Sequence, residues 1–542
     1  MNLRHPLLLS VLSGFLLALS WPETGGVTFL IFLGFVPLLY TEHLIVSNPE
    51  KYRSRHLFFY SYLSFFIWNL ITTWWVKNAS LGGAVMAIVF NALFMAVIFQ
   101  LYHIVRKKTK GRLSFFILAS FWMAFEYLHL RWDLTWPWLI LGNVFAESTW
   151  MIQWYEFTGV FGGDLWIFAL NFLVFYFLLN EISGKSGQIR TYMKPALILL
   201  GALSVPVLFS LLIKPLGLGA GSGEEKHPEK NRIVIVQPNI DPYNEKFNGS
   251  YREQLTKMLA LAETKIDSTT NCVVFPETAL TENLWENDLQ RTYGIQALHL
   301  FLQSHPKLDV MIGASSAYQY QAGEEHSPTA KKFTDANEYY EDYNTALFLT
   351  GSGTIEKYHK SKFVPGVEMM PFPALLKPLE KLAINMGGTS GSLCGQTERT
   401  VFVSKNNALK IAPAICYESV FGEFVTQYIR KGANVIFIIT NDGWWGDTPG
   451  YRQHLAYARL RAIETRRFVV RSANTGTSCF IDDQGHVFQA TPWWKPEAIK
   501  QTITLRNEQT FYVKHGDYLA RIAIGIAACF FLYSLYRRFR SV

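Results

Sequence analysis

Residues 410–440 read KIAPAICYESVFGEFVTQYIRKGANVIFIIT, and this stretch decides the fold of the C-terminal half. Lys410–Cys416 and Asn434–Thr440 are short, almost wholly apolar runs, as expected of strands buried on both faces. Between them, Gly422–Lys431 has helical spacing. Strand, helix and strand in this order predict an α/β domain whose sheets are covered by helices. The pattern repeats outward from there. Arg232–Gln237 (RIVIVQ), Cys272–Phe275, Asp309–Gly313, Thr345–Leu349, Phe468–Ser472 and Ser478–Ile481 read as further strands. Tyr251–Ser268 and His454–Arg467 read as helices. Residues 320–342 are polar, lack a strong period and are expected to form an exposed loop.

Upstream the composition changes. Of 542 residues, 50% are hydrophobic and only 17% charged, against about 25% charged in a soluble domain. The deficit lies in residues 1–215 and again in 518–536. A bilayer-spanning helix needs about 20 apolar residues. Segments of this kind run at 6–22, 27–46, 57–76, 82–105, 113–130, 165–181, 194–213 and 518–536. With no water to satisfy backbone groups, such segments must be helices. The expected organisation is a membrane domain over 1–215 with seven spans, a polar domain over 220–515, and an eighth span at 518–536. The basic Met1–His5 before an apolar run is reminiscent of a signal peptide. Further spans follow and no A-x-A site appears, so the segment is read as retained.

Lys and Arg in short loops mark the cytoplasmic side of a membrane. They gather at Lys51, Arg53 and Arg55, then at Arg106, Lys107, Lys108, Lys110 and Arg112. Further groups are Lys185, Arg190 and Lys194, and Arg537, Arg538 and Arg540. All fall on one side if both termini are cytoplasmic, and seven crossings then carry 220–515 to the outer face. The loop 131–164 lies on that face; its Trp132, Trp136, Trp138, Trp150 and Trp154 suggest an interfacial belt or a lipid-facing floor. Glu126, inside the fifth span, is expected to face protein or water, as a functional group or a structural hydrogen-bond partner. The net charge of +8 is spent on these loops and forms no basic stripe, which argues against nucleic-acid binding.

Neither GxGxxG, P-loop, HExxH nor CxxC occurs, so no nucleotide cofactor and no metal are implied. The five cysteines are odd in number, which leaves at least one free thiol, and a Cys394–Cys479 pairing stays open. Reactive groups of α/β domains gather at strand ends. Glu277 ends VVFPE, Cys416 ends IAPAIC, and Lys360 lies in YHKSKFVP shortly after the strand near Leu347. Singly each has an ordinary reading: a buried inert thiol, a solvent-facing carboxylate, a surface lysine.

Together they resemble the carbon-nitrogen hydrolase (nitrilase) superfamily, whose members use Glu, Lys and Cys in that chain order. More closely, nearly the whole chain resembles the apolipoprotein N-acyltransferase family. The resemblance rests on LSGFLLALSWP (12–22), TWPWLILGN (135–143), GVFG (159–162), VIVQPNI (234–240), VVFPET (273–278), the YxKxxxVP segment, ICYE (415–418), TNDGWWGD (440–447) and RAIETRR…RSANTG. It implies an α-β-β-α sandwich on an eight-span membrane domain. By position it implies Cys416 as nucleophile, Glu277 as general base and Lys360 as oxyanion stabiliser, with Glu368, Tyr417 and Glu418 in supporting roles. Phe247 stands where the family has Trp, and Val364–Glu368 reads VPGVE in place of VPFGE. Trp444 and Trp445 are candidates for an acyl-chain pocket or for ordinary packing.

The resemblance further implies a bacterial inner-membrane enzyme acting at the periplasmic face. A membrane phospholipid would donate an acyl chain, through a Cys416 thioester, to the N-terminal amine of a diacylglyceryl-modified apolipoprotein. No cofactor is expected, and the enzyme is expected to be a monomer. A thiolate suits this task because it attacks esters well at neutral pH and splits the transfer into two easier steps. Glu277 would take the thiol proton and Lys360 would favour the thiolate. Lys360 and the Tyr417 backbone N–H would meet the oxyanion. The alternative is a membrane-anchored amidase that uses water as acceptor. A transporter or scaffold would need more intramembrane charge than Glu126 supplies.

Overall fold

The computed structural model describes residues 5–109, 111, 113–182, 189–220, 231–372 and 392–540. Lys110, Arg112, Lys185 and the Arg190 side chain, counted above among the basic loops, lie outside the described residues. The chain divides into two compact units, Met1–Gly219 with His515–Val542, and Ala220–Lys514.

The first unit is helical. Among the described residues, five helical segments are long and apolar enough to cross a membrane: Thr28–Ser47, Leu81–Lys108, Val160–Glu181, Met193–Leu212 and Tyr518–Phe539. Three expected spans fall short of that. Pro6–Ser20 and Ser114–His129 have 15 and 16 residues, and the 19-residue Arg55–Thr73 is interrupted by His, Ser, Asn and Thr. Small residues let these helices approach. A Cβ on Gly14 would lie 2.7 Å from the Ser64 carbonyl oxygen, and Ser64 Oγ donates to the Ser10 carbonyl at 2.8 Å. Residues 137–151 fold inward as three short 3₁₀ turns. Trp138 and Trp154 are therefore buried, against Trp75 and Trp166, while Trp150 stays exposed. Glu126 is also buried; its Oε1 accepts from Trp122 Nε1 at 2.9 Å and from the Leu141 N–H at 3.1 Å. Asp164 Oδ1 accepts from the Gly142 N–H at 2.7 Å, so two carboxyls hold the TWPWLILGN loop.

The second unit is an α-β-β-α sandwich. One sheet has eight strands, with Asn231–Gln237 antiparallel to Glu497–Ile503 and parallel to Cys272–Val274. Cys272–Val274 runs parallel to Asp309–Gln319, which pairs antiparallel with Tyr339–Leu349. The other sheet has six strands; its centre is the parallel trio Lys410–Ile415, Val435–Thr440 and Phe468–Ala473. Ser472 Oγ of this sheet donates to the Val236 carbonyl of the first at 3.0 Å. Tyr251–Glu263 and Tyr293–Ser304 cover the first sheet through Leu255, Met258, Leu298 and Leu302, packed on Val234, Val273 and Val310. Each such buried side chain contributes about 1.5–3 kcal/mol.

Several boundaries move. The helix from Tyr251 ends at Glu263, five residues early. The polar stretch 320–342 is not all loop: Lys331–Lys332 pairs with the Tyr339–Leu349 strand, which extends that pairing past the apolar part. The sheet edges there are half-exposed, so the residues alternate and carry no apolar run.

Candidate active site

Three strand ends converge on one buried cation. Lys360 follows the Ile355–His359 strand and is 1% exposed. Its Nζ lies 3.2 Å from Glu277 Oε1 and 2.6 Å from Glu368 Oε1. Glu277 follows the Cys272–Val274 strand at a turn where Thr278 has φ +50°. Gly313 makes that turn possible: a Cβ there would lie 2.6 Å from the Glu277 Cα, the Pro276 carbonyl and the Thr278 nitrogen. Asn344 Nδ2 donates to Glu277 Oε1 at 2.7 Å and reaches Glu368 Oε1 at 3.5 Å. Glu368 turns its other oxygen to the Val364 N–H at 2.9 Å, closing its own VPGVE turn. Burial alone would depress the Lys360 ammonium; Glu277 and Glu368 hold it well above the usual lysine range.

Cys416 opens a 3₁₀ turn after the Lys410–Ile415 strand and has φ +50°, a left-handed conformation rare for a residue with a side chain. Burial and the Glu277 charge push its thiol well up, and Lys360 opposes them without winning. Loss of its proton therefore calls for a base beside it as well as the help that Lys360 gives. Glu418, fully buried, binds the pieces together. Its Oε1 accepts from Tyr358 Oη at 2.7 Å and the Ser361 N–H at 2.6 Å; its Oε2 accepts from the Ile415 N–H at 2.8 Å. One carboxyl thus links the residue after Lys360 to the residue before Cys416. Tyr417 is buried edge-on against Phe421, ring centroids 5.2 Å apart.

The aromatic candidates come from two other loops, after the Asn231–Gln237 and Val435–Thr440 strands. Trp444 takes a hydrogen bond from Tyr243 Oη on its carbonyl at 2.8 Å and packs on that ring at 5.0 Å. Trp445 packs against His454 at 5.6 Å. Phe247 is half-buried, with Lys246 Nζ 5.9 Å from its ring centroid.

Sequence reasoning missed Lys246. It is 4% exposed, donates to the Glu277 carbonyl at 3.1 Å and senses both Glu277 and Cys416. Burial brings its ammonium down to about 8, against the opposing pull of the Glu277 carboxylate. Its position directly before the aromatic of NEKF was the available signal. Asn344 was missed too, because it lies inside a strand. All five cysteines are free, so Cys394 and Cys479 are not paired.

Two family descriptions divide the chain between them. Residues 13–173 match the apolipoprotein N-acyltransferase N-terminal domain, and 232–511 match carbon-nitrogen hydrolase. An apolipoprotein N-acyltransferase of Chlorobaculum tepidum is 30% identical over 99% of this chain and 98% of its own length. The chain belongs to the apolipoprotein N-acyltransferase family. A family member from Geobacter metallireducens is 26% identical over 97% of this chain and 94% of its own. An amidase from Nesterenkonia sp. covers 56% of this chain and 99% of its own at 14% identity, with a TM-score of 0.36.

Proposed function

We propose that this chain is a phospholipid:apolipoprotein N-acyltransferase that works through a thioester on Cys416. The observation that carries the reading is Lys360 buried between Glu277 and Glu368, at strand ends that also hold Cys416. The membrane-domain match at 13–173 supports the transferase over a water-using amidase, because both of its substrates are anchored in lipid.

The chemistry follows from the charges. Cys416 Sγ attacks the ester carbonyl of a phospholipid while Glu277 takes the thiol proton. Lys360 and the Tyr417 N–H stabilise the oxyanion. Collapse breaks the ester C–O bond, and Glu277 returns the proton to the departing lysophospholipid oxygen. The α-amine of the diacylglyceryl-cysteine of a lipoprotein then attacks the thioester, again with Glu277 as base. The amide forms and the thiol is restored, a ping-pong cycle. Residues 1–215 supply seven spans and 518–536 an eighth. Both termini are cytoplasmic in a bacterial inner membrane, 220–515 lies on the periplasmic side, and the enzyme is a monomer.

Intact-mass measurement of the purified full chain in phospholipid vesicles tests the reading. Cys416 gains the mass of one acyl chain and loses it when an acceptor lipopeptide is added. An adduct that persists in Cys416→Ala refutes the nucleophile. A reporter fused near residue 330 reads as periplasmic; a cytoplasmic signal refutes the topology.

A further inference from the structure

Behind the nucleophile lies a polar chain that the mechanism above does not use. Arg471, Asp442 and His454 are at most 1% exposed and come from three elements: the Phe468–Ala473 strand, the DGWW turn and the Pro449–Thr465 helix. Arg471 NH2 lies 2.6 Å from Asp442 Oδ2, and Asp442 Oδ1 lies 3.0 Å from His454 Nδ1. Thr440 Oγ1 also donates to Asp442 Oδ1, at 2.8 Å. Burial would raise the Asp442 carboxyl, but Arg471 and His454 hold it at about 2, so it remains an anion. The far side of the imidazole reaches the active site. His454 Nε2 lies 3.1 Å from the Cys416 carbonyl oxygen and 3.0 Å from Ser419 Oγ. Ser419 Oγ itself donates to the same carbonyl at 2.7 Å. A carbonyl only accepts, so Nε2 presents a proton to it, while Nδ1 on the other side meets the Asp442 carboxylate and, at 3.1 Å, Arg471.

The carbonyl of Cys416 and the N–H of Tyr417 belong to one peptide plane. In a trans peptide they point in opposite directions. Whatever fixes the carbonyl therefore aims the N–H. Cys416 needs such fixing, because its left-handed φ of +50° is held only while its surroundings over-determine it. We propose that His454 is a positioning residue: by gripping the Cys416 carbonyl, with Asp442 and Arg471 orienting the ring, it aims the Tyr417 N–H at the oxyanion formed on acylation of Cys416. The proposal rests on Cys416 being the acylated nucleophile.

The test compares two reactions of the same thiol in the full chain. Acylation by vesicle phospholipid passes through an oxyanion; alkylation by iodoacetamide is a direct displacement and forms none. His454→Gln places an amide N–H near the Nε2 position, whereas His454→Asn places its amide near Nδ1 and leaves the carbonyl with Ser419 Oγ as its side-chain donor. We expect Asn to slow acylation about 100-fold, the scale of losing one oxyanion donor, with its alkylation rate close to wild type. Gln should recover most of the acylation rate. Ser419→Ala, the milder second variant, should slow acylation about 10-fold and leave alkylation alone. Equal acylation in the Asn and Gln variants overturns the proposal, as does acylation and alkylation falling together. Failure of the wild type to acquire any acyl chain overturns the functional reading itself, and so is told apart.

Discussion

Glu418→Gln removes one oxygen and little else, which makes its consequence calculable. The carboxyl takes three N–H or O–H donors on Oε1 (Tyr358 Oη, Ser361 N and, at 3.3 Å, Lys362 N) and the Ile415 N–H on Oε2. An amide keeps its oxygen toward the three donors and turns its NH₂ toward the Ile415 N–H. Two buried donors then face each other without an acceptor, each costing about 1–3 kcal/mol. Against this, burial disfavours the charged carboxylate, whose pKa is raised, and the neutral amide escapes that penalty. A net loss of about 3 kcal/mol follows. It corresponds to a Tm roughly 6–12 °C lower for the catalytic unit. The released Ile415–Cys416 segment also loses its tie to Ser361, so acyl-adduct formation slows beyond what unfolding explains. Differential scanning fluorimetry and time-resolved intact mass on the same vesicle preparation measure both. A Gln variant with wild-type Tm and wild-type acylation would refute the assignment of Glu418 as the clasp between lysine loop and nucleophile.

Lys246→Met should abolish the alkaline limb near pH 8 in the acylation rate, since the ammonium that titrates at about 8 beside Glu277 and Cys416 is gone; a limb that survives assigns it elsewhere. Glu286 is held at about 2 because the nearby His359 (2.7 Å), Lys357 and Ser316 outweigh its burial. Its folded value lies below the ordinary 4.5, so about 3 kcal/mol of stability is present above pH 4.5 and lost as pH falls toward 2. Denaturant titrations of Glu286→Gln across that window should lack this slope. Gly313→Ala forces a Cβ into three backbone atoms around Glu277; it should cost about 1–3 kcal/mol and slow acylation, read by melting and adduct mass.

How much of this was legible depends on the signal each feature leaves. Strands buried on both faces, such as Val435–Thr440, announce themselves as unbroken apolar runs, and the sandwich followed from them. Edge strands did not: Leu280–Trp285 and Ile355–His359 carry Glu, Asn, Lys and His, so no apolar run marks them. Glu277, Lys360 and Cys416 were legible as a family pattern at strand ends, yet their company was not. Asn344 lies within a strand that looks merely polar at that point, and His454 lies on a helix whose spacing says only that one face is buried. Hydrogen-bond partners far apart in sequence, 83 residues for Lys360 and Glu277, leave no local period. The aromatic loop 131–164 was legible only in part: tryptophan signals an interface or a core equally, and the turns at Pro137 and Thr149 accompany burial of Trp138 and Trp154 but not of Trp150.

Charge counting in a buried place explains why the Cys416 thiol is pushed up. Lys360 serves two carboxylates, Glu277 and Glu368, so this trio already carries an excess negative charge before Cys416 ionises. A free thiolate would add another in a medium where each uncompensated charge is costly. Proton transfer from sulfur to Glu277 avoids that, because it moves a negative charge within the cluster and creates none. In the cycle proposed above, nucleophile activation is then coupled to attack on the ester, and the sulfur becomes strongly nucleophilic only when a carbonyl is in place to receive it. Lys246, also cationic below about pH 8, balances the remaining excess from the other side of Glu277. In the proposed cycle, two lysines around one glutamate thus allow that carboxyl to take a proton from each entering nucleophile and release it to each leaving group, without the site changing its net charge.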